Sequence, residues 1–596
     1  MFLRSHTRYK DGKQHRYFSI EESRRVARGK SVQRRVLYLG EINDSQQAAW
    51  RKSLEVFVET DHRYTTLSLF PEDREIPGDT VDTLQVKLSE MQLRRPRAFG
   101  NCWLGCELWR QLRLDEFWRG KLPAGREAVR WAQVLELLAV NRLIDPGSEF
   151  RLHRQGFERS AMDELLGVDF AVAAKDRLYR CLDRLLEHRQ ELFTHLRQRW
   201  QDLFDARFDL LLYDLTSTYV EGEAEEIPKA RHGYSRDKRF DCKQVVIALV
   251  VTPQGFPLAY EVMAGNTSDR NSLRGFLDKI ETMYGQARRV WMMDRGIPSE
   301  ELLAEMRAPE REMFYLVGTP RGKIREHEKK WLALPWGKVR ESVEVKLFAE
   351  GAEMYVLAKS EGRRAKETAI RRRKLARLLW KLRALRRSLP ARDALLMKIG
   401  AAKSEAGRAF GFVKLSLPKA KAEVTRESFQ FRLDKPKLQA AQLLDGHYLL
   451  RTNLTSEDPA VLWDRYMQLT QIEEAFKCLK TELGIRPIHH QVESRVEAHI
   501  LVAFLGYCLM VTLKQRLQEH APGLSPRAVL DKLAAMQMLD VWFPTADGRW
   551  LVMPRYTEPE AEQKLLLHKL KLYLPAQPPP RIKAAAQSEE AIPMAL

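Results

Sequence analysis

The spacing of apolar residues divides the chain into stretches with different periods. Residues 1–40 read as short strands joined by turns, RYKDGKQHRYFSI and then SVQRRVLYLGEI, with Asp11-Gly12 as a hairpin turn. From about 85 to 200 apolar positions recur at three and four, as in VRWAQVLELLAVNRLI and DRLYRCLDRLLEHRQELF, which predicts helices. The turn LIDPGSEF, with Pro146 and Gly147, separates two of them. The period then changes. FDLLLYDLTSTYV, CKQVVIALVVT and FPLAYEVMAG are rich in β-branched and aromatic residues and read as strands, the last two joined by a tight turn at Pro253-Gln254-Gly255. A helix over 268–284, a buried strand RRVWMMD, a helix opened by Gly296 and Pro298, and a strand MFYLVGT follow. Three strands in hairpin order followed by strand–helix alternation predict a mixed α/β sheet with helices on both faces.

After Thr319 the alternation breaks for more than a hundred residues. VRESVEVKLFA and EMYVLAKS read as strands, a basic helix spans 363–387, and GFVKLSL and SFQFRL are strand-like again. This predicts a β-rich insertion domain, after which GHYLLRTN resumes the core and a long helix starts near Asp458-Pro459. The expected organisation is a basic β-rich N-terminal unit (1–84), a helical segment that is a candidate DNA-binding domain (85–203), a core in two parts (204–320 and 446–518) around the insertion (321–445), and a helical C-terminal region with a loose Pro-rich tail (519–596). The longest apolar stretch, 500–513, falls short of the ~20 residues that span a bilayer and reads as a buried helix.

Charge narrows the partner. Hydrophobic residues make up 44% of the 596, enough for a core-forming protein, while Lys and Arg exceed Asp and Glu by 100 − 80 = 20. Such an excess points to a polyanion, most often nucleic acid. It is concentrated: residues 1–36 hold eleven Lys or Arg against three acids, and 363–387 hold twelve against Glu367 alone. In the second segment Leu375, Leu378, Leu379, Leu382 and Leu385 supply one apolar face, leaving Arg371, Arg372 and Arg373 as candidates for binding phosphate. The six cysteines lack paired metal-ligand spacing and read as buried thiols of a reducing compartment. With no apolar leader in MFLRSHTRYKDG, the expected location is the cytoplasm, on the nucleoid when DNA is bound, with no membrane partner.

The candidate chemistry is acidic. Asp214 (YDLTS) and Asp294 (WMMDRG) stand at the exits of apolar strands 294 − 214 = 80 residues apart, room for two hairpin strands and a crossover helix. The first and fourth strands of the predicted sheet then lie side by side and bring the two carboxylates together. Half-burying a carboxylate after Leu210-Leu211-Leu212 is costly unless a cation neutralises it, and Mg²⁺, bound by few carboxylates plus water and phosphate, suits the role. A third acid follows from helix geometry. In DRYMQLTQIEEAFKCLKTELGI the residues Leu469, Ile472, Phe476, Leu479 and Leu483 form the core stripe. Glu473 lies roughly 80° from its centre, whereas Glu474 points almost directly away. On a continuous helix Tyr466, Glu473 and Lys480, seven apart, fall in one row.

These residues resemble the DDE transposases of bacterial insertion sequences, in the branch whose third acid sits in a Y-x2-R-x3-E-x6-K signature. Tyr466, Glu473 and Lys480 match its register; Leu469 stands where the signature has Arg, with Arg465 or Arg486 as candidate substitutes. CKQVVIALVVTPQGFPLAYEVMAGNTSD and GIRPIHHQVESRVEAHI are similar to stretches of the same family. The resemblance covers about 205–520. It implies a ribonuclease H-like core and two Mg²⁺ ions, for which Mn²⁺ substitutes, held by Asp214, Asp294 and Glu473. It also implies binding to terminal inverted repeats and target sites on double-stranded DNA, DNA strand cleavage and strand transfer (cut-and-paste transposition), and a homodimer on DNA. Lys480, Tyr466 and Arg465 would hold phosphates near the acids.

Weaker candidates remain. His232 lies in the basic loop RHGYSRDKRF, which reads either as a DNA-approaching loop or as an ordinary surface. His489 and His490 read as a loop leading into a helix, and Trp331, Trp336 and Trp380 as core packing. The competing functions are a transposase-derived DNA-binding protein without activity and a ribonuclease H-like nuclease that cuts without joining.

Overall fold

The structure is a computed structural model that describes residues 2–10, 13–25, 31–40, 86–123, 130–267, 269–285, 288–294, 296–311, 313–319, 334–340, 343–419, 422–546 and 548–583. The chain forms two compact units, one of residues 1–188, 482–484 and 498–596, the other of residues 189–481 and 485–497.

In the first unit β1 (Phe2–Lys10), β2 (Lys13–Arg25) and β3 (Ser31–Gly40) make an antiparallel sheet. Lys10 pairs with Lys13, while Asp11 and Gly12 themselves lie outside the described residues. Beyond it, Trp131–Ile144 is buried almost all round because its apolar residues leave no polar stripe. It packs closely on Gly100–Gln111: a Cβ added at Gly105 would lie 2.8 Å from the Val140 side chain. The helical expectation for the two ends of this unit needs correction. β4 (Gln92–Ala98) pairs with β16 (Gln537–Pro544), which pairs with β17 (Trp550–Tyr556), which pairs with β18 (Arg581–Lys583). Segment 85–203, otherwise helical, thus contributes β4 to a four-stranded sheet whose other strands come from 519–596, where they stand beside the helices Pro526–Leu533 and Ala561–Lys569. Arg97 joins them further: its side chain is fully buried and donates to Asp163 (2.8 and 2.6 Å) and Asp540.

The second unit starts with the helix Arg189–Phe204, earlier in the chain than the predicted boundary. Its sheet is built on the apolar runs that follow. β5 (Leu210–Tyr219), β6 (Gln244–Val251) and β7 (Pro257–Ala264) form an antiparallel meander. The helix Asp269–Tyr284 carries the chain to β8 (Arg289–Met293), parallel to β5 on its other edge, and Glu300–Met306 leads to β9 (Met313–Thr319), parallel to β8. Numbered within this core from β5, the order is 3-2-1-4-5, the ribonuclease H-like mixed sheet that the resemblance implies. β6 is buried at every position, as a strand covered on both faces must be.

The insertion differs from the β-rich domain expected over 321–445. β10 (Gly337–Arg340), β11 (Val343–Glu350) and β12 (Glu353–Ser360) extend the central sheet, because β12 pairs with the resumed core strand β15 (His447–Thr452), itself antiparallel to β9. The core that the insertion builds for itself is mainly helical. Glu361–Ser388 buries Leu375, Leu378, Leu382 and Leu385 against Leu395, Ile399 and Ala402 of Arg392–Ala406, closed by the short hairpin β13 (Val413–Ser416) and β14 (Gln430–Leu433). Glu493–His520 is the one helix among the described residues long and apolar enough to cross a membrane. Of its most apolar window 94% is buried, as in a core helix.

Candidate metal and DNA site

Along β5 every interior position is buried except Asp214. Parallel pairing with β8 runs from Leu210↔Val290 to Tyr213↔Met293. One residue further, the same register brings Asp214 level with Asp294, one strand spacing of about 4.8 Å away at the backbone. Asp294 is exposed where β8 ends, and the chain turns there: Ile297 N–H donates to the Asp294 carbonyl (3.4 Å) and Gly296 takes a positive φ of 93°. Asp214 lies within β5 and not at its exit, since the strand continues to Tyr219; only its partner β8 ends at this level.

Alternation along β5 fixes the direction of Asp214. Tyr213 faces the crossover helix, donating its hydroxyl to Ser272 (2.9 Å) with its ring 5.5 Å from Phe276. Asp214 therefore points to the opposite face, together with Thr216 and Thr218. Thr218 donates to the Ile485 carbonyl (3.5 Å), and the helix Leu469–Lys477 packs on β5 and β6. That helix buries Ile472, Ala475 and Phe476 and leaves Glu473 and Glu474 both exposed. All three candidate acids thus belong to one sheet and the helix packed on it.

The match between residues 206–509 and the family model of the transposase DDE domain spans just over half of the chain and contains all three acids. The chain belongs to this family. It is a DNA transposase of the DDE type, an enzyme class that generally depends on divalent metal. No curated protein matches the chain. Among solved structures it is similar to a piggyBac transposase synaptic complex with hairpin DNA, at 10% identity over 74% of this chain and 82% of that one, with a TM-score of 0.36. The family match carries the assignment.

The remaining signature residues of the transposase are arranged differently from the sequence reading. The long helix is broken: Pro459–Met467 ends at Gln468, Leu469–Lys477 begins anew, and Cys478–Glu482 is a wider π turn. Tyr466, Glu473 and Lys480 therefore do not share one row of a continuous helix. Tyr466 packs against Tyr448 (5.9 Å) and Trp463 (6.3 Å). Lys480 donates to Asp237 (2.8 Å), which also receives Arg486; burial lowers the Lys480 ammonium from its ordinary pKa, and Asp237 opposes that shift. Arg465, one candidate substitute for the missing signature arginine, pairs with Glu457 (3.2 Å).

On the insertion helix, Arg371 is tied to the buried carboxylate of Asp445, which Thr368 also reaches, whereas Arg372 and Arg373 are exposed. Arg371 is thus a fastening of this helix to the turn that leads into β15. Trp380 is 64% exposed, not core, and Trp336 lies under Lys346 (4.7 Å) and Lys359 (5.6 Å); Trp331 falls outside the described residues. His232 is exposed in its loop, and His490 is buried ahead of Glu493–His520. The sequence reading missed Asp237, whose role is invisible without the fold because its partners lie about 240 residues away.

Proposed function

We propose that this transposase cuts and rejoins DNA at the terminal inverted repeats of an insertion sequence, with Asp214, Asp294 and Glu473 holding two Mg²⁺ ions, for which Mn²⁺ substitutes. The observation that carries this reading is the β5–β8 register that levels Asp214 with Asp294, on the sheet against which the Glu473 helix packs. Two carboxylates where the parallel pairing of β5 and β8 ends, and a third on the helix packed against that sheet, are the hard oxygen donors such ions take. Asp214, the half-buried one, is suited to bridge both positions, with Asp294 serving one and Glu473 the other. Such ions, when bound, activate a water or 3′-hydroxyl and stabilise the attacking and leaving oxygens of the phosphodiester. Lys480, steadied by Asp237, contributes positive charge beside the acids, and Tyr466 and Arg465, on the preceding helix Pro459–Met467, hold phosphates. The enzyme acts as a homodimer on double-stranded terminal and target DNA, in the cytoplasm and on its nucleoid.

Incubating the full chain with duplexes taken from the DNA flanking its gene tests this reading. Mg²⁺-dependent nicking at a repeat terminus followed by joining to a target is the expected result. Tight binding without cleavage under any divalent ion would favour the inactive DNA-binding protein, and cleavage without joining a nuclease.

Arg372 and Arg373 are expected to neutralise phosphates. Replacing both with Ala should make the slope of log K against log[salt] shallower by about 0.9 for each phosphate left without its arginine. Arg371→Ala should instead lower thermal stability, since it strands the buried Asp445. An unchanged slope in the double variant would make this helix face a solvated surface.

A further inference from the structure

The loop between β5 and β6 is held unusually firmly for a segment that exposes large aromatic rings. Its backbone is paired with Gln244 at Arg231, in both directions at 3.0 Å, and the Gln244 side chain donates to the Tyr234 carbonyl (3.1 Å). Gly233 lies so close to the neighbouring chain that a Cβ there would strike the Gly265 carbonyl. Ser217, on the β5 face that Tyr213 shares, accepts from Arg236 N–H (3.2 Å), which fastens the loop to the C-terminal part of the strand. The Asp237 side chain is 6% exposed and clamped by Lys480 and Arg486. Arg239 lies over the Tyr219 ring (4.7 Å) and binds Asp241 (2.8 Å) and Glu221 (3.1 Å).

On this fixed frame Tyr234 is 80% and Phe240 67% exposed. Packing does not require these rings to stand in solvent, and the frame holds the loop backbone before any partner arrives. Over 231–241 the charge is positive: its two acids are engaged, Asp237 by Lys480 and Arg486 and Asp241 by Arg239, while Arg231, His232 and Lys238 are exposed; the loop's four glutamates, Glu221, Glu223, Glu225 and Glu226, all precede this stretch. Exposed aromatics set among cations suit unpaired nucleotides, whose bases offer π faces that a closed duplex hides and whose phosphates seek positive charge.

We propose that the 231–240 loop is a stacking platform on which Tyr234 and Phe240 hold unpaired bases of an opened DNA end, with Asp237 as the residue that positions it against Lys480. The proposal rests on the reading of Asp214, Asp294 and Glu473 as the cleavage site. It adds a binding surface that chooses opened DNA over closed duplex.

Binding is measured without metal, so the outcome does not depend on cleavage. The probes are two duplexes of the flanking terminal sequence, one blunt and one ending in a short unpaired tail that carries 2-aminopurine. The full-length protein is expected to bind the tailed duplex more tightly and to quench its tail. Tyr234→Ala and Phe240→Ala should each weaken tailed binding roughly tenfold and lose the quenching, leaving blunt binding unchanged, while Tyr234→Phe retains both. Unchanged melting of the variants keeps the comparison one of surface. Equal affinity of the wild type for both duplexes, or equal losses on both in the variants, would overturn the platform. Failure of cleavage with the platform intact would instead count against the acid site alone.

Discussion

Asp214→Asn, Asp294→Asn and Glu473→Gln are each expected to slow cleavage and joining by on the order of a thousandfold or more, while DNA-end binding stays near that of the wild type. Each change keeps side-chain size and removes one charge from the proposed ion site. Ion stabilisation of a phosphoryl transition state amounts to several kcal/mol, at about 1.4 kcal/mol per decade of rate. Because Asp214 and Asp294 are level on adjacent strands, two like charges face each other without metal, and either Asn variant should melt slightly higher than the wild type in a chelator. Glu474→Gln is the internal control. It sits one residue along the same exposed helix surface, turned away from the buried Ile472–Phe476 side, and should remain active. Single-turnover nicking of a terminal-repeat duplex separates these outcomes.

The second large effect is on stability. Arg97→Met should destabilise the first unit by about 3–5 kcal/mol, the usual cost of removing one partner from a buried ionic cluster. The Arg97 side chain has no exposed surface, and its loss leaves Asp163 and Asp540 near each other, with the half-exposed Arg95, among the described residues, left to pair with both. Arg95→Ala, at 49% side-chain exposure, should cost far less. Thermal and urea melting of the full chain check the pair. A transition in Arg97→Met as late as in Arg95→Ala would mean that the cluster contributes little.

Where pattern and partner were close in sequence, the chain could be read directly. The runs Leu210–Tyr219, Gln244–Val251 and Pro257–Ala264 are hairpin neighbours, and their β-branched content alone defines them. The adjacency of Asp214 and Asp294 followed from counting elements between them, since one crossover helix leaves few other places for the fourth strand. The leucine face of Glu361–Ser388 was likewise legible from its spacing. What stayed hidden depended on distant pairing. β4 finds β16 across more than 430 residues, so the strand character of Gln92–Ala98, with its three arginines and a proline, gave no local signal. β11 and β12 were recognised as strands, but their joining the central sheet depends on the pairing of β12 with β15, nearly a hundred residues on.

Phase errors were equally local. A seven-residue spacing implies a common helix face only if the helix runs unbroken, and the stop at Gln468 and the π turn at Cys478–Glu482 both reset the count. Arg371 shows the same limit for charge: within a run of arginines, sequence does not distinguish the one that closes on a buried aspartate from its exposed neighbours.

The most direct test of the central claim is a titration of Mn²⁺, followed by the paramagnetic signal of the free ion, into the DNA-bound wild type and the four acid variants. The account predicts two bound ions in the wild type and in Glu474→Gln, and loss of at least one in each of Asp214→Asn, Asp294→Asn and Glu473→Gln. Undiminished binding in those three would contradict it, as would loss in Glu474→Gln together with full binding in Glu473→Gln.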